Sequence, residues 1–378
     1  MKKYLKPVLV FSLFALAFLL PSLTAHATGT QGFPNIRSTY AEKSYNSFLR
    51  SYWDPKKGYF YMQSDHNIDP THQVGPENGR YSDYWWEAQS FDLVLDHYQR
   101  TRSPRDRKII EQAYYGFLKA YPNYLQNDYN DDIGWWANYL ARAYQLTGEK
   151  KFLVTSQKMF NFILGYEDST FGGGIWWKNT ETGPNADNEK NVATNGTAAM
   201  TATRLYRITG QRHYLNTATR LFSFLKDNYY HNGRIVDRIR NGQPIFQDWT
   251  YDYGQFANAS FQLYRLTGKR EYYLLADKTY DYSIKNVAQD GILPAEGNYD
   301  AGGFKGIYVR GLAEFAQKTH SFKYSRFLQN NAYHVVMNQN SQGLSGNDWT
   351  TKTPETAVQS HSAASGVILL QYAYPLAH

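Results

Sequence analysis

Leu140-Ala-Arg-Ala-Tyr144-Gln-Leu-Thr-Gly148, Thr203-Arg-Leu-Tyr206-Arg-Ile-Thr-Gly210 and Phe261-Gln-Leu-Tyr264-Arg-Leu-Thr-Gly268 are three copies of one pattern. Their closing glycines lie 62 and 58 residues apart (148 to 210, 210 to 268). In each copy, apolar residues at i, i+3 and i+4 run into Thr-Gly, and a second amphipathic run begins at once: Phe152 to Ile163, Tyr214 to Phe224, Tyr272 to Ile284. Glycine ends a helix in the left-handed conformation at little steric cost, so each unit reads as helix, tight turn, helix. Weaker copies flank these three. Trp85–Thr101 turns at Ser103-Pro104 into Arg107–Tyr121, and Lys305–Thr319 turns into Phe322–Met337. A first helix near Ile36–Tyr52 and a last one near Thr356–Tyr374 bring the expected count to twelve. If the two terminal helices pair, six hairpins close into an all-α (α/α)6 barrel, with an open solenoid as the alternative.

The turns inside hairpins are short, whereas the segments between them are long: 53–82, 122–130, 167–191, 231–251, 288–303 and 341–355. Long loops rich in Gly, Asn, Asp and Trp are uncommon unless they carry function, and all six would gather where the inner helices begin.

Composition limits the chemistry. The 378-residue chain is 17% aromatic, 19% charged and 42% hydrophobic, which excludes disordered, collagenous and coiled-coil classes. It has no Cys, so disulfides, thiol catalysis, iron–sulfur clusters and Cys-bound zinc are excluded. Lys2, Lys3 and Lys6 precede an apolar run from Val8 to Leu20 and the small-x-small site Ala25-His26-Ala27. That order predicts a signal peptide over residues 1–27, cleavage near Ala27 and a secreted single domain over 28–378. The run is too short to span a hydrocarbon core of about 30 Å. Removing three Lys lowers the formal charge from +7 to +4, with the basic residues scattered among acids. Nucleic acid is therefore not an expected partner, no transmembrane segment is expected in the mature chain, and a monomer is.

At the loop-bearing face the inner helices start with Asp83-Tyr-Trp-Trp86-Glu87, Asn130-Asp131-Asp132-Ile-Gly-Trp135-Trp136, Ala193-Thr-Asn195-Gly196-Thr197, Thr250-Tyr-Asp-Tyr253-Gly254-Gln255 and Phe304-Lys305-Gly306. Aromatic faces pack on sugar C–H faces while neighbouring polar groups bond the hydroxyls, so alternating carboxylates and aromatics suit carbohydrate chemistry. Asp131-Asp132 is the sharpest signal. With Asn130 as cap, both acids fall in the first turn with carboxyls roughly 5–6 Å apart. That spacing suits a retaining glycosidase, whose carboxyls stand about 5–5.5 Å apart. First-turn acids also simply complement the helix dipole, which is the plainer explanation. The helix terminus lowers both pKa values, while burial and the like charge raise one, so a split pair is expected. In each Trp pair, 85/86, 135/136 and 176/177, one indole is expected in the helix layer and one in the groove. The histidines show no HxxH or HExxH spacing, and neither a metal nor another cofactor is expected. Gly172-Gly-Gly174 reads as a flexible loop, and Asn195-Gly-Thr197 matches a glycosylation sequon.

Asn130-Asp131-Asp132 with Gly134-Trp135-Trp136, Gly172-Gly-Gly-Ile-Trp-Trp177-Lys178, Lys190-Asn-Val-Ala-Thr-Asn195-Gly196, Thr250-Tyr-Asp-Tyr-Gly254-Gln255 and Lys305-Gly306-Ile-Tyr-Val-Arg310 come in an order that resembles glycoside hydrolase family 76, the endo-α-1,6-mannanases. The resemblance covers about residues 35–340. It implies an (α/α)6 barrel that hydrolyses α-1,6-linked mannose chains with retention, Asp131 being the nucleophile and Asp132 the general acid/base. Trp86, Trp136, Trp177, Asn195, Tyr253, Gln255 and Lys305 are the expected sugar-binding residues. The chain departs from the family's Asn-Gln-Gly at Asp252-Tyr253-Gly254, which bears on subsite specificity. The resemblance also leaves room for a mannan transglycosylase, since both outcomes begin with a glycosyl-enzyme. A catalytically silent glycan-binding wall protein is a further alternative that would tolerate Asn at either Asp. Uronide hydrolysis or epimerisation on the same toroid would need Arg or His in place of the acids at the helix starts.

Overall fold

The computed structural model describes residues 37–180 and 188–376. The expected signal peptide and its cleavage site lie outside the described residues. Among the described residues there are twelve long helices: α1 Ser38–Tyr52, α2 Tyr84–Thr101, α3 Pro104–Ala120, α4 Asn130–Thr147, α5 Lys150–Leu164, α6 Val192–Thr209, α7 Arg212–Tyr229, α8 Thr250–Thr267, α9 Arg270–Asn286, α10 Phe304–Thr319, α11 Phe322–Asn338 and α12 Ser360–Ala373. A further single turn at Pro76–Gly79 holds Glu77 and Asn78 at φ 53° and 57°, so it is a left-handed loop segment rather than a thirteenth α-helix of the barrel.

The repeated turn behaves as its sequence requires. Gly148, Gly210 and Gly268 sit at φ 74°, 69° and 70°, and the N–H of each donates to the carbonyl of Tyr144, Tyr206 or Tyr264. Added Cβ atoms there would meet nothing within 4 Å, so the demand for glycine is conformational and not steric. Arg102 and His320 close α2 and α10 in the same conformation, at φ 56° and 54°, without that advantage. These are the two hairpins whose sequence copies are weak.

Contacts between helices define the layers. The even-numbered helices α2, α4, α6, α8, α10 and α12 each touch the next, and α12 touches α2, which closes an inner ring. The odd-numbered helices form the outer layer: α3, α5, α7, α9 and α11 pack on the inner helix that precedes each, and α1 packs on α12. The chain termini therefore supply one hairpin between them. Inner helices are buried nearly all round; α12 is buried from Ser360 to Gln371, because it is flanked by ring neighbours and backed by α1 and α11. Outer helices bury one stripe, as α5 does with Phe152, Met159, Phe160 and Ile163.

The long segments precede the inner helices, as expected, but they are not wholly irregular. Glu189–Asn191, Arg238–Arg240 and Gln243–Ile245 form an antiparallel three-stranded sheet, with Glu189 opposite Arg240 and Asn191 opposite Arg238. Strands of three residues are too short to show a period of two in sequence.

Candidate active site

A groove of about 910 Å³ opens where the inner helices begin. Five of the six long segments contribute to its walls, among them His72, Asn127, Trp177, Asp237 and Asp300. The segment 341–355 does not. Helix geometry decides which first-turn residues face the groove: the second residue of α2, α4, α6 and α8 lines it, namely Trp85, Asp131, Ala193 and Tyr251. Trp135, one turn beyond Asp131, lines it as well.

Asp131 and Asp132 sit in the first turn of α4, both partly open to the groove. Asn130 is not the cap expected from sequence. The cap position is Tyr129, and the Asn130 side chain instead donates to the Trp176 carbonyl at 2.9 Å. Its backbone N–H donates to the Trp177 carbonyl at 2.7 Å, so the helix start is stitched to the segment that carries Trp177. The Trp177 indole N–H donates to Asp131 Oδ2 at 3.0 Å, and the Asp132 backbone N–H donates to Asp131 Oδ1 at 3.1 Å. Asp132 Oδ2 accepts from the Asn127 amide at 3.0 Å.

The Trp177 segment is itself held from below. Buried Lys190 donates to Asp168 Oδ1 (2.7 Å) and to the carbonyls of Thr170 (2.9 Å) and Gly173 (2.7 Å). Gly174, at φ 82°, passes so close to Phe224 that a Cβ would stand 2.2 Å from its ring. The Gly172-Gly-Gly174 run is thus a packed crossing rather than a flexible loop.

Burial dominates the electrostatics. It pushes the Asp131 carboxyl up to about 7, against the hydrogen bonds from the Asp132 N–H and the Trp177 indole. Burial, and then the charge of Asp131, push Asp132 well above the carboxylate range. The pair is split, as expected, but both members move upward, because desolvation outweighs the helix terminus. Asp83, the cap of α2, is pushed up to about 8 by burial and then by the charge of Asp300. Asp300 accepts both indole N–H groups of the first Trp pair, Trp85 and Trp86, each at 2.9 Å. Trp135, Trp85, Phe304 and Trp249 continue one another as an aromatic wall, with ring centroids 6.2, 6.4 and 5.5 Å apart along that order.

Each Trp pair does divide into one groove residue and one packed residue, but for two pairs the opposite member from the one expected faces the groove. Trp85 and Trp135 line the groove. Trp86 is fully buried, stacked on His361 at 4.8 Å. Trp136 is fully buried, stacked on Phe117 at 3.8 Å, with its N–H on the Tyr84 carbonyl. Trp177 does line the groove. The other expected sugar contacts are framework. Asn195, fully buried, accepts from the Ile175 N–H at 2.7 Å and donates to its carbonyl, fixing the Trp177 segment; this also removes it as a glycosylation acceptor. Tyr253 turns outward, its hydroxyl on Asp248 and its ring stacked on Tyr282. Gln255 is buried and donates to Thr197 Oγ1 at 2.7 Å. Buried Lys305 ties two loops together by donating to the carbonyls of Pro294 and Asn347, with Trp349 beneath it. Asp252, at the departure from the family pattern, lies behind the groove, where burial and the charge of Asp237 push it far up.

Asp83, Trp85, Trp135 and Tyr251 stand in the helix starts read from sequence but were not assigned as sugar contacts, and Asp300 was not singled out. Asp83 also caps α2, its Oδ1 accepting the Trp86 N–H at 3.1 Å. Among the described residues no group of three or more His, Asp or Glu side chains is arranged to hold a metal ion, and no helix is long and apolar enough to cross a membrane.

Comparison with known proteins bears on the whole domain. A family model, Glycosyl hydrolase family 76, matches residues 39–373. Mannan endo-1,6-alpha-mannosidase DCW1 of Candida glabrata is 26% identical over 280 residues, covering 65% of this chain and 61% of that protein. Its namesake in Saccharomyces cerevisiae is 27% identical over 278 residues, with the same coverage of 65% and 61%. The chain thus spans about 61% of the length of these curated relatives. An inactive variant of the alpha-1,6-mannanase GH76A of Salegentibacter sp. HEL1_6, with two consecutive Asp-to-Asn replacements and bound alpha-1,6-mannotriose, has a TM-score of 0.80 at 26% identity, covering 89% of this chain and 99% of that one. The Lin0763 protein of Listeria innocua also has a TM-score of 0.80, at 27% identity, covering 90% and 97%.

Proposed function

The chain belongs to glycosyl hydrolase family 76, and from that premise we propose that it is a secreted, endo-acting α-1,6-mannanase that cleaves with retention of configuration. The observation that carries this reading is the Asp131-Asp132 pair at the floor of an aromatic-walled groove, one acid held lower in pKa than the other. A similar protein made inactive by replacing two consecutive aspartates supports the assignment.

Asp131, the more readily ionised of the two, attacks the anomeric carbon. As the carbon–oxygen bond to the leaving mannose breaks, Asp132 delivers its proton to the departing oxygen, leaving a glycosyl ester on Asp131. Asp132, now a carboxylate, takes a proton from water, which attacks the same carbon and frees Asp131; two inversions give net retention. The Trp177 N–H steadies the Asp131 carboxylate between steps. An open groove bounded by five loops accepts a chain passing through, which favours internal cleavage.

Azide rescue tests the roles. Asp132→Asn should retain attack on aryl mannosides, whose leaving group needs no proton, and form an α-mannosyl azide. Asp131→Asn should form no glycosyl-enzyme. The reversed pattern would exchange the two roles, and wild-type mannan cleavage by both variants would reduce the pair to helix-start acids. Secretion is tested separately by intact mass: protein from the medium should begin at Thr28.

A further inference from the structure

A second cavity of about 420 Å³ lies back to back with the groove; Trp135 and Ile307 belong to the walls of both. It is lined from the middle and C-terminal parts of the inner helices, which carry an unusual number of arginines. Two of these are matched in charge. Arg142 bonds Asp92 and Asp96, each at 2.6 Å, and Arg310 bonds the other oxygens of the same two acids at 3.0 and 2.9 Å.

Arg204 and Arg207, one turn apart on α6, are not matched. Arg204 donates to the amide oxygens of Asn138 (3.1 Å) and Gln145 (2.9 Å), and Arg207 to that of Gln262 (2.6 Å). Among the described residues neither has a carboxylate within salt-bridge distance. Arg265 converges on the same place: it donates to Gln262 Oε1 at 3.4 Å while pairing with Glu314. Three guanidiniums therefore face one cavity with a single carboxylate among them.

Arg204 is half-buried and Arg207 and Arg265 are exposed, so their excess positive charge faces one cavity, whereas Asp92 and Asp96 neutralise Arg142 and Arg310 in the same cavity. We propose that the second cavity binds a small tetrahedral oxyanion of the phosphate or sulfate class between Arg204, Arg207 and Arg265. Planar guanidinium forks suit two oxygens of such an anion at once, and a third arginine engages the remainder. The site is independent of the sugar groove, since it shares only apolar wall with it.

Calorimetric titration of the whole chain with inorganic phosphate, sulfate and glycerol phosphate, at ionic strength held constant with sodium chloride, tests the proposal. Saturable binding of one equivalent is expected for at least one of the three. Preference for the ester over free phosphate would identify an esterified source. Arg207→Gln should weaken binding at least about tenfold, and adding Arg204→Gln should abolish it, with mannan cleavage unchanged. If the double variant does not fold, Arg207→Gln alone decides, because its side chain reaches the open mouth of the cavity. No saturable heat beyond the chloride control, or equal affinity in wild type and Arg207→Gln, would overturn the site.

Discussion

Asp92 and Asp96 in the middle of α2 and Asp131 and Asp132 at the start of α4 are two acid pairs on neighbouring helices of one ring, and they have opposite surroundings. The first pair is clamped by Arg142 and Arg310, and Tyr372 donates to Asp96 at 2.7 Å. Burial alone would raise Asp96, but Arg310 and Arg142 outweigh it and hold the carboxyl below its ordinary range. The second pair has an indole, an amide and a backbone N–H for company, and both members rise. Residue type is the same; the partner decides whether an acid fastens helices together or keeps a proton available for chemistry.

Exchanging the pairs' fates by mutation gives the largest expected effect. Asp131→Asn or Asp132→Asn should lower cleavage of natural α-1,6-mannan by about 10⁴-fold while the circular dichroism spectrum stays native. Asp96→Asn should do the reverse. It leaves Arg142 and Arg310 short of counter-charge, at a cost of about 3–5 kcal/mol in urea unfolding. A similar division separates the two members of a Trp pair. Trp136→Ala should cost about 3–5 kcal/mol of stability, whereas Trp85→Ala should mainly weaken mannan binding, by about 1–3 kcal/mol.

The pH dependence of stability sharpens the contrast further. Asp131 and Asp83 have folded pKa values of about 7 and about 8, above the ordinary carboxylate value of about 4. Between those limits the folded state binds more protons than the unfolded one, so their contribution to stability falls as pH rises from about 4 to about 8. Asp131→Asn should flatten that slope in urea titrations at stepped pH. Asp96 contributes with the opposite sign, and its stabilisation is lost only on acidification through its lowered pKa. The smallest effect concerns the hairpin turns. Gly148→Ala should cost about 1 kcal/mol through its positive φ alone, while Arg102→Gly should be neutral or slightly stabilising.

The hairpin count and the acid pair were legible in sequence because both rest on local rules: Thr-Gly ends a helix, and consecutive acids after a loop fall in a first turn. Which indole of a pair faces the groove was not. Adjacent residues point about 100° apart, so one inside and one outside follows from helix geometry, but the choice depends on how each helix is rotated against its ring neighbours. Trp86 and Tyr253, at the third and fourth positions of α2 and α8, turn away, while Trp85 and Tyr251 at the second turn in. Lys305 and Asn195 misled for a different reason. A polar residue near a helix start resembles a ligand contact until its partners are seen, and here those partners are loop backbone groups that only the tertiary fold brings near. Asp300 comes from a short 3₁₀ turn at Tyr299–Gly303, and no local pattern connects it with Trp85, some two hundred residues away in sequence.

Time-resolved proton NMR of the wild-type chain acting on linear α-1,6-mannohexaose tests the Asp131-Asp132 assignment most directly. Internal cleavage to shorter oligosaccharides is expected, with the α-anomer of the new reducing end appearing first and the β-anomer growing in only by mutarotation. First appearance of the β-anomer would contradict a glycosyl-Asp131 intermediate, and an unchanged hexaose would contradict the activity itself.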